Sequence, residues 1–226
     1  MRLSIIVIPK IRFYLPVLLS VLLVMTSYGA IAQENWKLAE DQQWIKIYKR
    51  PITNSKIKSI KVICTLQASI SQLLAAIMDV QSCGEWVYSS KTNILLKQIS
   101  PLELIYYSEV SVPWPVENRD YVVRVKAEQD PQTKIVTVNS PCIPGYVKEK
   151  PGKVRIKESV AQWTIIPIGK NQVKVEYILE VDPLGNIPAW LVNLFAAKGP
   201  YETFKALKVH VQKDVYKRAH YATIVE

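Results

Sequence analysis

Apolar and polar residues alternate with a period of two through much of the chain. In Asn171–Val181, valine, tyrosine and leucine occupy every second position, with lysine or glutamate between most of them. Because successive side chains of a strand point to opposite faces, the pattern predicts a strand with one buried face. The same alternation predicts a strand over Ile57–Leu66, with Ile60, Val62, Cys64 and Leu66 on the buried face.

The other predicted elements are short. Strands are expected at Trp44–Tyr48, Asn93–Ile99, Leu102–Val112, Arg119–Glu128, Thr133–Ser140 and Lys153–Pro167, and helices at Glu34–Gln42 and directly after Ser69, with an irregular segment at 81–92. Most of the connections contain proline or glycine and are short, which indicates sequential antiparallel pairing. The result is a strongly curved antiparallel sheet.

A helical period of apolar residues occupies the end of the chain, from Asn186 to about Arg218. Asn186 is a good N-cap, Pro188 is tolerated in a first turn, and Pro200 is expected to kink the helix. The apolar positions are Ile187, Leu191, Leu194, Phe195, Tyr201, Phe204, Leu207, Val211 and Val215. A sheet with one apolar face must cover that face, so we predict an α+β fold in which the sheet wraps around this long C-terminal helix.

The first 32 residues have the features of a signal peptide. Arg2, Lys10 and Arg12 precede an apolar run, and Ala30-Ile-Ala32 fits a cleavage site before Gln33. An uncleaved N-terminal anchor is the alternative. We expect residues 33–226 to be exported, either to a periplasm or out of the cell. The net charge of the whole chain is +10, and +7 remains without the leader.

Three cysteines, Cys64, Cys83 and Cys142, show no metal-ligand spacing. Two of them could pair in an oxidising compartment, which would leave one free. The alternative is that all three are small buried apolar side chains.

Four motifs follow one another in a characteristic order. They are Trp86 after the predicted short helix, Arg119-Asp-Tyr-Val-Val123 after a proline-rich approach, Gly152-Lys-Val-Arg-Ile156, and Asp182-Pro-Leu-Gly-Asn-Ile-Pro-Ala-Trp-Leu-Val-Asn193. Together they resemble the START family of lipid-transfer domains. The resemblance covers roughly residues 35–218, so residues 33–226 are expected to form one START-like lipid-binding domain. It implies a helix-grip fold with a tunnel between sheet and helix. It implies structural roles for Trp86, Arg119, Asp120 and Arg155.

Candidate ligand-binding residues follow from the resemblance and from strand parity. They are Tyr106, Tyr121, Val123, Val125, Val175, Tyr177, Leu191, Leu194 and Phe195. Some sterol-binding members of the family carry a buried acid and an arginine where this chain has Tyr106 and Val125. This difference predicts a more apolar tunnel, in which Tyr106 and Tyr177 offer hydroxyl groups to a ligand or satisfy them with backbone.

Arg119 and Asp120 are adjacent on a predicted strand, so they point to opposite faces and do not pair with each other. We expect each to hold a neighbouring loop through charge-assisted hydrogen bonds; direct ligand contact is the alternative. Parity places Tyr121, Val123, Val125 and Ala127 on the inner face of this strand, and Leu104, Tyr106, Ser108 and Val110 on that of the preceding one.

Catalytic groups are scarce in the sequence. The two histidines, His210 and His220, fall where a solvated surface role is expected, and no nucleophile elbow, phosphate loop or metal-ligand cluster occurs. The lysines are dispersed, which argues against nucleic-acid binding. We therefore predict a monomeric, non-enzymatic carrier without cofactor or metal, which binds a lipid or other apolar small molecule and touches membrane surfaces transiently. A sensor or accessory protein of the same fold, or a hydrolase or cyclase, is the alternative.

A closed tunnel needs an entrance. The loop Pro141–Gly152 and the helix start Ile187–Phe195 are predicted to open together, with Gly199-Pro200 as the hinge. Trp190 is expected at the edge of the buried stripe, where an indole suits a membrane interface. A static kink with Trp190 packed in the core is the alternative.

Overall fold

The structure is a computed structural model that describes residues 36–42, 44–51, 58–185, 187–188, 190–191 and 194–226. The strands are β1 Lys37–Gln42, β2 Ile45–Pro51, β3 Lys58–Leu66, β4 Ser90–Ser100, β5 Glu103–Val110, β6 Asn118–Gln129, β7 Val136–Pro141, β8 Lys153–Arg155, β9 Glu158–Gly169 and β10 Gln172–Asp182. The α-helices are α1 Ile70–Met78, α2 Cys83–Trp86, α3 Gly199–His210 and α4 Asp214–Lys217. A 3₁₀ turn Val80–Ser82 and a π-helical segment Leu194–Lys198 complete the described elements. The predicted signal peptide lies outside the described residues.

One antiparallel sheet contains the strands in the order β1-β2-β3-β10-β9-β7-β6-β5-β4, and β8 runs parallel to β6. The predicted sequential antiparallel pairing is confirmed for β4–β5, β5–β6, β6–β7 and β9–β10. The predicted strand Lys153–Pro167 is wrong as one element: it divides at Ile156–Lys157, because β8 adds to β6 whereas β9 pairs with β7 and β10.

The inner face of the sheet is the one that strand parity predicts. Val123, Val125, Ala127 and Leu104 join a large buried cluster with residues of α1 and α3, and the predicted face of β3 is also buried. The outward residues Ile105, Tyr107 and Val122 form a second, smaller buried cluster on the opposite side. The sheet is therefore covered on both faces at β5 and β6.

The predicted opening helix Glu34–Gln42 is wrong in its described part, since Lys37–Gln42 is an edge strand paired with β2. Its side chains are mostly exposed, and the register shifts between Leu38 and Glu40. A strand with little buried surface shows no clean alternation, so its residues do not reveal the pairing. In contrast, α1 begins after Ser69 as predicted, and Ser69 and Gln72 form a capping box.

The C-terminal helical region is less regular than predicted. Trp190–Leu191 is helical, the π-helical segment follows at Leu194–Lys198, and α3 ends at His210 rather than near Arg218. Pro200 cannot donate a backbone hydrogen bond, and the wider helical turns lie directly before it. Beyond His210 the chain turns into α4, so Val215 is 71% exposed and Tyr216 is buried instead. The predicted N-cap Asn186 lies outside the described residues.

All three cysteines are free: Cys64 and Cys83 are buried and Cys142 is partly buried. Within the described ranges, we find no helix with the length and apolar content that a membrane span requires.

Candidate functional site

A cavity of about 320 Å³ lies between the inner face of the sheet and the C-terminal helical region. Val110, Val123 and Val125 form part of one wall, and the opposite wall comes from Leu191, Phe195 and Phe204. Most lining groups are apolar, and the volume is at the lower end of the range for sites that enclose a small molecule. The arrangement can exclude water from an apolar ligand.

Most of the candidate ligand-binding residues lie in the cavity wall. The lining includes Tyr106, Tyr121, Val123, Val125, Tyr177, Leu191 and Phe195, as well as the motif residues Trp86 and Arg119. Val175 does not line the cavity: it is fully buried in the main core, whereas Tyr177, Leu179 and Val181 of the same strand face the cavity. The side chain of Leu194 lies outside the described part of the molecule.

Aromatic rings pack side by side at one region of the wall. Trp163 lies 4.6 Å from Tyr177 and 5.3 Å from Phe204, measured between ring centroids, and meets Trp86 edge-on at 6.3 Å. The sequence analysis does not identify Trp163 as a cavity residue. Its position opposite Tyr177 in the β9–β10 pair agrees with the alternation of both strands. These packed aromatic rings make this part of the wall apolar.

A polar patch interrupts the apolar wall on β4, β5 and β6. Asn93, Tyr106 and Tyr121 line the cavity, and Ser108 is buried directly behind them. In the amide orientation that satisfies both ends of Asn93, its nitrogen donates to Ser108 Oγ at 2.9 Å and its oxygen accepts from the Gly84 N–H at 3.3 Å. The sequence predicts Tyr106 as a polar contact but does not single out Asn93, whose pairing opposite Ser108 depends on the β4–β5 register.

The hydroxyl groups of Tyr106, Tyr121 and Tyr177 remain protonated over the physiological pH range. Burial raises the pKa values of Tyr106, Tyr121 and Tyr177. For Tyr121, hydrogen bonds from Ser108 and Tyr106 lower the pKa in part. Each phenol is therefore a neutral group with both donor and acceptor capacity.

Arg119 crosses from β6 to the chain that follows β10. Its guanidinium group donates to the carbonyl oxygens of Pro183 at 3.3 Å, Leu184 at 3.1 Å and Glu117 at 2.5 Å. Burial lowers its pKa. As predicted, Arg119 fixes a loop, here the one that leads to Ile187; it also lines the cavity.

Asp120 points away from the cavity, on the opposite face from Arg119. Its two carboxylate oxygens accept from Arg155 Nε at 2.8 Å and Nη2 at 3.0 Å. Arg155 also donates to the carbonyl oxygens of Val147 and Lys148. The prediction that Asp120 holds a neighbouring loop is confirmed through this buried ion pair, and the parallel β6–β8 pairing is what brings the two residues together.

The loop Pro141–Gly152 does not have the position of a lid. Ile143 and Val147 pack against the outward cluster of Ile105, Tyr107 and Val122, and Lys150 lies over the Tyr107 ring at 3.9 Å. No residue of this loop lines the cavity as the structure describes it. The prediction is wrong because the outer face of β5 and β6 is itself apolar and needs the loop as a cover.

His210 is buried, which contradicts the expected surface role; His220 is exposed. His210 Nε2 lies 2.8 Å from Tyr216 Oη and 3.1 Å from Ser82 Oγ, and Tyr216 in turn donates to Asp79. Burial lowers the pKa of His210. This cluster joins the end of α3 to the 3₁₀ turn. The sequence places His210 among lysines, which predicted an exposed position on a longer helix. The helix α3 instead ends at His210.

Across the part of the chain that the structure describes, no three metal-ligating side chains come together. The site is thus a cavity with hydrogen-bonding groups and no described metal cluster.

The chain is similar to known proteins in both sequence and structure. The family model of the START domain matches residues 20–217. An uncharacterised protein of Pseudomonas aeruginosa is 31% identical over 82% of this chain and 91% of its own length. Bovine phosphatidylcholine transfer protein is 30% identical over 75% of this chain and 81% of its own length. The crystal structure of a STAR-related lipid transfer protein fragment from Xanthomonas axonopodis has a TM-score of 0.72 and 32% identity, covering 79% of this chain and 99% of that one.

Proposed function

The chain belongs to the START domain family, and we propose on that premise that it binds a hydrophobic ligand, a lipid, in a tunnel under the C-terminal helix and carries it between membranes. The observation that supports this proposal is the apolar cavity between sheet and helix, whose lining includes seven of the nine candidate ligand-binding residues. A carrier of this kind needs no reaction at the site, so we propose no catalytic role for the chain.

Two exposed tryptophans suggest where the carrier meets a membrane. Trp114 is 91% exposed in the β5–β6 connection, and Trp190 is 51% exposed at the start of the helical region. Their neighbours Val112 and Leu191 line the cavity, and Arg119 ties the β5–β6 connection to Pro183 and Leu184. Indole groups favour the membrane–water interface, and the basic net charge favours anionic lipid. We place the entrance between these segments, with Gly199-Pro200 in the cavity wall as the hinge.

Native mass spectrometry of the purified protein, followed by organic extraction, tests the carrier proposal. We expect about one apolar molecule per chain. Val123→Arg puts an unpaired charge into the cavity and should abolish binding. Thr137→Arg, on the same sheet at a partly exposed position outside the cavity lining, is the matched control. A wild-type protein that binds neither a co-purifying molecule nor any added lipid would refute the proposal.

Exchange of a fluorescent lipid with vesicles tests the membrane contact. Trp114→Ala and Trp190→Ala should slow exchange with phosphatidylglycerol vesicles without reducing binding of the ligand in solution. Equal exchange rates for wild type and both variants would place the entrance elsewhere.

We also propose that the chain is exported and that the mature protein begins near Gln33. N-terminal sequencing of the exported fraction tests this, and a chain that still starts at Met1 would contradict it.

A further inference from the structure

Arg119 places a buried positive charge in an otherwise uncharged cavity wall. Among the described residues that line the cavity, it alone is charged, and it is 5% exposed. No carboxylate of the described residues forms an ion pair with it. The acid whose charge acts on Arg119 is Glu117, which has an exposed side chain and binds the guanidinium group through its backbone carbonyl oxygen. The buried charge therefore has no counter-ion within the described part of the protein.

The guanidinium group also keeps hydrogen-bonding capacity in reserve. It has five N–H groups, and three of them are used: Nε donates to Pro183, Nη1 to Glu117 and Nη2 to Leu184, in each case to the carbonyl oxygen. One N–H group on Nη1 and one on Nη2 remain without an acceptor among the described residues. Two oxygens of a carboxylate or a phosphate match such a pair of donors.

Arg119 lies at one end of the cavity, and the wall beyond it is apolar. Pro183, which accepts a hydrogen bond from Arg119, lines the cavity beside it. Further along the same face of β6, Val123 and Val125 line the cavity and carry no polar side-chain group. The proposed entrance is at the Arg119 end, because Arg119 ties the β5–β6 connection to the chain after β10. A ligand that enters with its apolar end first would leave its headgroup beside Arg119.

We propose that the cavity selects an amphiphile with an anionic headgroup, a carboxylate or a phosphate, which pairs with Arg119 while its apolar chain extends along β6 toward Val123 and Val125. This inference rests on the proposed carrier function and narrows its ligand class. A neutral headgroup would leave the buried charge without compensation, and a cationic one would add a second charge of the same sign. Arg119 thus both holds the chain after β10 and binds the ligand.

Displacement of the neutral fluorophore N-phenyl-1-naphthylamine from the purified protein measures this selectivity. The cavity of about 320 Å³ has room for roughly ten groups of the size of a water molecule, so a single dodecyl chain is a suitable probe. The competitors are dodecanoate, dodecyl phosphate and dodecan-1-ol at about pH 8, where the carboxylate is ionised. They share the chain and differ in the headgroup, so the two anions also distinguish a carboxylate source from a phosphate source.

We expect at least one anion to displace the fluorophore from the wild-type protein at about tenfold lower concentration than dodecan-1-ol, as a hydrogen-bonded pair of charges provides. Arg119→Met should abolish this preference. Because the variant also loses the contacts to Pro183 and Leu184, the ratio of anion to alcohol is the measured quantity. Arg124→Met, which removes a positive charge from the same strand outside the cavity lining, is the matched control and should keep the preference.

The ionisation of the bound headgroup provides a second measurement that needs no variant. Dodecanoate labelled with ¹³C at its carboxyl carbon reports its charge state by NMR when it is bound to the wild-type protein. A nearby positive charge lowers the pKa of a carboxyl group, whereas burial without a partner raises it. We expect the bound carboxyl group to stay ionised from pH 8 down to about pH 5, where a carboxyl group buried without a partner is protonated.

An alcohol that binds as well as both anions overturns the inference while leaving the carrier function intact. So does an anion preference that Arg119→Met retains, or a bound carboxyl group whose pKa is raised above that of free dodecanoate. Circular dichroism and thermal melting check that each variant is folded; if Arg119→Met is not, the competition and the carboxyl titration with the wild-type protein decide. If no competitor and no other lipid displaces the fluorophore from the wild-type protein, the proposed carrier function fails instead.

Discussion

Replacement of Arg155 by methionine tests the ion pair behind β6. The change leaves the Asp120 carboxylate in place, where its side chain is 0% exposed and has lost both donors, at 2.8 and 3.0 Å. Breaking a buried ion pair by removing one partner costs about 3–5 kcal/mol, because the remaining charge is left without compensation. For a domain of this size that loss corresponds to a decrease in the melting temperature of roughly 6–20 °C.

The loss of stability can be measured by urea unfolding followed by tryptophan fluorescence. It should appear as a lower midpoint urea concentration, while the dependence of the unfolding free energy on urea concentration stays unchanged. Arg124→Met is the matched control: Arg124 also lies on β6 and pairs with Glu103, but its side chain is 52% exposed, so we expect a cost of at most about 1 kcal/mol. The double variant Asp120→Leu/Arg155→Met should recover much of the stability, because no buried charge remains. A loss for Arg155→Met no larger than that of the control would refute the reasoning.

Arg155 also holds the loop through the carbonyl oxygens of Val147 and Lys148. The same variant should therefore be cleaved faster by trypsin after Lys148 under native conditions. Cleavage that is unchanged relative to Arg124→Met would show that the packing of Ile143 and Val147 is sufficient to hold the loop.

Two further predictions concern buried titratable groups. His210→Gln should lower the free energy of unfolding by about 1–3 kcal/mol, because it disturbs a buried hydrogen-bond cluster. His220→Gln, at an exposed position, is the control and should cost almost nothing. Equal melting temperatures for the two variants would contradict this prediction. Burial would raise the pKa of Glu109, but hydrogen bonds from Lys153, Asn118 and Lys91 outweigh it and lower the pKa to about 2. The folded-state pKa lies below the unfolded one, so Glu109 contributes stability above about pH 4.5 that is lost as the pH falls toward 2. Melting temperatures from pH 6 to 2 should decrease less steeply for Glu109→Gln than for the wild type, and parallel curves would refute this.

The face on which each strand residue lies was predictable, because successive side chains of a strand alternate between the two faces of the sheet. Once Arg119 is assigned to a strand, Tyr121, Val123 and Val125 must share its face, and all of them line the cavity. Opposite directions for Arg119 and Asp120 followed from the same rule. The alternation of side chains does not indicate how far along a strand the cavity extends. Val175 was therefore predicted to line the cavity together with Tyr177, although it lies in the core.

Contacts between distant segments were not predictable in this way. The partner of Asp120 depends on β8 adding parallel to β6, which no local pattern encodes. Likewise, His210 is buried because the chain turns after α3 and brings Tyr216 back against it. In the edge strand β1, the local sequence favours a helix, but pairing with β2 makes the segment a strand.

The edges of the sheet bear on how the protein resists aggregation. The edge strand β4 exposes Ile94, Leu95 and Ile99, and an unpaired edge with apolar side chains is a template for another extended chain. Its register with β5 is interrupted three times, between Ser90 and Thr92, Leu95 and Lys97, and Gln98 and Ser100. Each interruption bends the strand and breaks the row of evenly spaced backbone groups, so an incoming strand cannot form a continuous ladder. The bulges of β4 therefore act against polymerisation at an edge that exposes three large apolar side chains.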